Sequence, residues 1–90
     1  MQSESIGSPR FTVSISTHSN PEALYIIGRL TTFVMCQRNY CYRWTKSYPW
    51  DPAQKLILFE MKFDDEQELM LCKVDVEKFL NRRQVEFSIS

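Results

Sequence analysis

The apolar residues of this chain change spacing in a fixed order, and that order limits the folds open to it. Phe11, Val13 and Ile15 fall at every second position. Ala23, Ile26, Ile27, Leu30, Phe33 and Val34 recur at threes and fours. Ile57, Phe59, Met61 and Phe63 return to every second position. A spacing of two buries one side of a strand, and a spacing of three and four buries one face of a helix. These runs predict strands at about 11–17 and 55–63, with a helix at about 21–35.

The helix has a legible start. Ser19 or Asn20 can cap it, Pro21 suits its first turn, and Glu22 meets the positive end of its dipole. Gly28, Thr31, Thr32 and Val34 weaken its second half. Tyr40-Cys-Tyr-Arg-Trp-Thr-Lys46 is rich in rings and reads as a strand. Tyr40, Tyr42 and Trp44 form its expected inward face. Pro49 and Pro52 mark 47–53 as a loop.

The stretch 64–83 admits two readings. Leu69, Cys72, Val76, Phe79 and Leu80 make one helical stripe, with Met70, Leu71 and Val74 off it. The long helix is the expectation. The alternative is a hairpin turning at 64–67, with a short helix after Asp75. Val85, Phe87 and Ile89 then alternate as a last strand.

The order is β-α-β-β-α-β. This predicts an α+β, ferredoxin-like sandwich: a four-stranded antiparallel sheet with two helices on one face. The first strand should lie between the third and the last, leaving one sheet face open. With 90 residues, one domain is expected over 10–90 after a flexible tail at 1–9. A chain of this size buries roughly 60–65% of its unfolded surface.

Charge is balanced at 11 basic and 11 acidic residues, which argues against a duplex-DNA binder. It is unevenly spread. Residues 1–55 carry six basic and three acidic side chains, whereas 56–90 carry five and eight. A dipolar surface is therefore expected. Three cysteines do not make a disulfide framework, and the N-terminus lacks a secretory pattern. These features predict a cytoplasmic protein with free thiols and no membrane span.

Catalytic machinery is not legible. His18 is the only histidine, and it has no nucleophile or orienting partner at a telling spacing. Cys36 and Cys41 lack the ligand cluster that zinc requires, so neither metal nor cofactor is expected. The run Asp64-Asp-Glu-Gln-Glu68 reads as a solvated helix start. A standard RNA-recognition sheet needs rings on its central strands. Here Thr12, Ser14 and Ser16 line the outer side of the first strand.

The segment from Arg38 to Trp50 stands apart, because rings and cations crowd there with no acid before Asp51. Arg38, Arg43 and Lys46 as charges, with Tyr48 and Trp50 as loop rings, are the candidate partner-binding residues. A protein partner is the first expectation. The alternatives are single-stranded nucleic acid stacked on these rings and a small-ligand or regulatory module dimerising through the open sheet face at Leu56 and Leu58.

The short length, Tyr40-Cys-Tyr-Arg-Trp44, and Phe59-Glu-Met-Lys-Phe63 running into Asp64-Asp-Glu-Gln-Glu68 give a general character. In it the chain resembles small accessory proteins of tailed phages, some of which inhibit host defence complexes. The resemblance implies a phage origin and an inhibitory role. It carries no site residue.

Overall fold

A computed structural model describes residues 9–90. The expected tail at 1–9 lies outside the described residues except for Pro9, whose carbonyl accepts from Phe63 N at 2.8 Å. The elements in order are β1 (Arg10–Ser16), α1 (Asn20–Met35), β2 (Tyr42–Ser47), β3 (Leu56–Phe63), α2 (Glu66–Arg82) and β4 (Phe87–Ile89). The four strands form one antiparallel sheet in the order β2-β3-β1-β4. This is the α+β, ferredoxin-like arrangement, with β1 between β3 and β4.

Both helices cover the same face. Ala23, Ile26, Ile27, Leu30 and Val34 of α1 share one core with Leu69, Cys72, Val76 and Leu80 of α2. The sheet meets them with Phe11, Val13 and Ile15 from β1, and with Ile57, Phe59, Met61 and Phe63 from β3. Strict alternation along β3 makes this possible, since every second side chain points to the helices. Phe63 anchors two ring pairs, stacked on Phe11 at 6.0 Å and edge-on to Tyr40 at 6.3 Å.

The stretch 64–83 is one helix, not a hairpin. Asp65 caps it by accepting from Glu68 N at 3.1 Å. The four buried residues recur at helical spacing, whereas a strand over 69–74 would have turned Leu69 and Cys72 to opposite faces. Met70, Leu71 and Val74 lie on its solvent side. In α1, Ser19 is the cap, accepting from Glu22 N at 3.3 Å. Glu22 turns back to accept from His18 N at 2.6 Å. The histidine therefore serves the helix start through its backbone.

The last strand is shorter than its alternation predicts. Gln84 N donates to Asn81 O at 3.1 Å and Val85 N to Leu80 O at 3.4 Å. Gln84 is left-handed, at φ 58. These paired bonds close the C-terminus of α2 in a Schellman motif. They consume the two residues before Glu86, so pairing begins at Phe87.

Candidate functional site

The site is the sheet face away from the helices, and β2 decides its character. Residues directly opposite in antiparallel strands share a face. Tyr42 pairs with the inward Phe63, but Trp44 pairs with Lys62, which points outward. The register shifts between Tyr42 and Trp44. Arg43 is thus the extra residue of a β-bulge. Tyr40 is buried and Tyr42 packs against the core, as their alternation predicts. Trp44 does not join them. The bulge turns it onto the open face, where Lys62 Nζ lies 5.9 Å from its ring centre.

Pairing continues beyond the end of β2. Lys46 lies opposite Glu60, and Tyr48 N donates to Leu58 O at 2.9 Å. Tyr48 therefore extends the sheet rather than standing in a free loop. Its hydroxyl donates to Glu60 Oε1 at 3.0 Å, and Lys46 Nζ sits 4.8 Å above its ring. Arg10 of β1 reaches the other Glu60 oxygen at 3.5 Å. Glu60 is thus held by a hydroxyl and a guanidinium. The exposed cations of this face, Lys46 and Arg10, flank the rings.

The chain then turns sharply. Asp51 Oδ1 accepts from Ala53 N at 2.9 Å and from Gln54 N at 3.3 Å, while Asp51 N donates to Leu56 O at 2.8 Å. Such an Asx turn explains how a segment with two prolines is closed so tightly. It draws Trp50 against the core. The indole Nε1 is buried without a hydrogen-bond partner, as is Thr17 Oγ1. Trp50 thus lends most of its ring to packing.

Of the five residues expected to bind a partner, Lys46 and Tyr48 stand together on the open face. Arg43 is exposed at the bulge and pairs with Asp64 at 3.2 Å. An exposed pair of this kind contributes about 0–1 kcal/mol. Arg38 is exposed in the turn after α1, apart from the two rings. Trp50 is the packing residue just described. Trp44 is the ring that alternation alone assigns to the wrong side. Leu56 and Leu58 are half-buried on this face, opposite Ser16 and Ser14.

Two titratable groups are strongly perturbed, and both lie on the helix side. Burial pushes the Cys72 thiol up to about 12. Its Sγ approaches Met61 Sδ at 3.7 Å. Burial, and then the neighbouring Cys72 and Asp75, drive the Tyr40 hydroxyl above its ordinary value. It donates to Asp75 Oδ2 at 3.2 Å. These groups stay protonated and lock the segment before β2 onto α2, together with Cys41 N donating to Glu68 Oε1 at 2.8 Å. Cys36 and Cys41 are exposed free thiols. Among the described residues no group of three His, Cys, Asp or Glu side chains is placed to hold a metal, and no helix is long and apolar enough to cross a membrane.

Comparison with known protein families, curated proteins and solved structures finds no match.

Proposed function

We propose that the protein is a small non-enzymatic binding module that engages a protein partner through its open sheet face. The observation carrying this reading is the pairing of Trp44 with Lys62, which sets Trp44 on the same face as Tyr48, with Lys46 between them. Tyr and Trp held in place are favoured anchors because they offer large area at small entropic cost. Half-buried leucines, hydroxyls and a polar rim around them match the anatomy of protein interfaces. The resemblance to phage accessory proteins adds a further proposal. The partner is then a host or defence complex in the cytoplasm, and binding inhibits it.

The test compares affinity purification from the natural host by the wild-type chain and by Trp44→Ala/Tyr48→Ala, with circular dichroism to show that the variant is folded. A protein recovered by the wild type and lost by the variant is expected. Equal recovery by both refutes the open face as the site.

One observation favours a second reading. Arg10, Lys46 and Lys62 surround the same two rings, and single-stranded nucleic acid stacks on rings flanked by cations. Oligonucleotides should then quench Trp44 fluorescence, with an affinity that falls as salt rises. Unchanged fluorescence at low salt removes this alternative. A dimer in sedimentation at high concentration would instead assign the face to a second copy.

A further inference from the structure

The helix side carries a second surface of different chemistry. The C-terminal halves of α1 and α2 meet through Phe33 and Phe79, whose ring centres are 5.0 Å apart. Both rings are only half-buried. Two adjoining depressions, of about 590 and 340 Å³, share Phe33, Phe79 and Arg83 as lining. Arg29, Lys78 and Arg82 complete their basic wall. Arg83 lies over the Phe79 ring at 4.4 Å.

Charge here is one-sided. The ion pairs among the described residues are Arg10 with Glu60 and Arg43 with Asp64, so none of these four cations is neutralised by a neighbour. The only carboxylate in the lining is Asp75, which already accepts from Tyr40. Basic residues at a helix C-terminus are stabilised by the dipole, and this accounts for Arg82 and Arg83. It does not account for Arg29, which comes from the other helix, or for Lys78, a turn earlier. Four cations around an exposed ring pair form a surface complementary to negative charge.

We propose that this groove binds an acidic segment of a partner protein, with an apolar side chain seated against Phe33 and Phe79 and carboxylates paired to the cations around them. Guanidinium groups suit carboxylates because they bind them through two parallel hydrogen bonds. The two tilted rings supply an apolar floor for an anchor residue, a feature with no counterpart in simple phosphate recognition. The groove lies on the opposite side of the sheet from Trp44 and Tyr48. It therefore stands independently of the open face, and together the two surfaces would let the chain bridge two partners.

The test is fluorescence anisotropy of a fluorescein-labelled peptide with three glutamates on each side of a phenylalanine. Binding at about 100 μM in low salt is expected, weakening as salt rises. Arg82→Glu/Arg83→Glu and, separately, Arg29→Glu/Lys78→Glu should each weaken it about tenfold or more. Lys55→Glu, which reverses a single cation away from the groove, should leave it unaltered. Circular dichroism confirms that each variant is folded, and the use of two distinct pairs guards against one of them failing to fold. The proposal is overturned if the peptide does not bind at millimolar concentration, or if both reversals leave binding unchanged. Tighter binding of a thymidine oligonucleotide, lost in the same variants, would also overturn it by assigning the groove to nucleic acid.

Discussion

Deletion of Arg43 tests whether the bulge is what separates Tyr42 from Trp44. The pairing of Tyr42 with Phe63 and of Trp44 with Lys62 leaves Arg43 unopposed. Its removal makes the two flanking residues neighbours, and neighbours in a regular strand face opposite ways. Tyr42 should remain inward and Trp44 outward with no change of register on either side. The losses are the exposed pair with Asp64, worth about 0–1 kcal/mol, and the local twist. Destabilisation of about 1 kcal/mol corresponds to roughly 4–8 °C in melting temperature for a chain this size. If Arg43 were instead an ordinary alternating residue, deletion would slip one side of the strand by one position. A tyrosine now in the core would turn to solvent. A ring buries about 150–250 Å², so at about 25 cal/mol per Å² the loss would reach about 4–6 kcal/mol as an upper bound. Urea unfolding separates the two outcomes. Trp50→Phe as background leaves Trp44 as the sole tryptophan and removes the buried, unpartnered Nε1. Acrylamide quenching then reports the face of Trp44 directly. A loss of 4 kcal/mol or more, or a Trp44 newly shielded from quencher, would refute the bulge.

Two further outcomes follow from the helices and the core. Gly28 lies in α1, and a Cβ added there meets nothing within 4 Å, so Gly28→Ala should stabilise by about 0.5–1 kcal/mol in urea unfolding. A destabilised variant would show that the exposed side of α1 is constrained in a way its surroundings do not reveal. Cys36 and Cys41 are exposed whereas Cys72 is buried, with its thiol raised to about 12. A thiol reagent at pH 8 should therefore modify two cysteines quickly and the third only on unfolding. The raised Cys72 and Tyr40 values also set a sign. Each group holds a proton in the folded chain that the unfolded chain releases at its ordinary value, near 9.0 for Cys72 and 10.0 for Tyr40. Stability should be level below about pH 9 and fall as pH rises through the window up to about 12. Flat stability to pH 11 would contradict the assignment, and Tyr40→Phe with Cys72→Ala should flatten the decline.

The long elements were legible because each buries one face against a single layer. A helix can present Leu69, Cys72, Val76 and Leu80 to a sheet only at helical spacing, and that spacing is written in the chain. The same holds for Ile57 to Phe63 in β3. The caps Ser19 and Asp65 were legible because their partners lie three residues away. The hairpin alternative for 64–83 could not be excluded by local spacing, since Met70, Leu71 and Val74 are apolar yet exposed. Among the described residues no further layer covers this side of the helix, and that leaves them in solvent.

Between Arg38 and Trp50 the sequence determined composition and little more. It marked rings and cations in one place, and Lys46 and Tyr48 stand where a contact surface needs them. Which rings face outward was decided in three dimensions. Alternation assigned Trp44 to the core, but the strand bulges at Arg43, so Trp44 turns outward opposite Lys62 and Thr45 takes the place opposite Met61. The loop assigned to Trp50 is closed by the carboxylate of Asp51, which presses the indole inward. The junction of Phe33 with Phe79 depends on how two helices far apart in the chain lie on the sheet. Local periodicity sets which face of each element is apolar. Pairing register, bulges and the meeting of distant helices depend on partners that no local pattern encodes, and these decided where the surfaces of this protein lie.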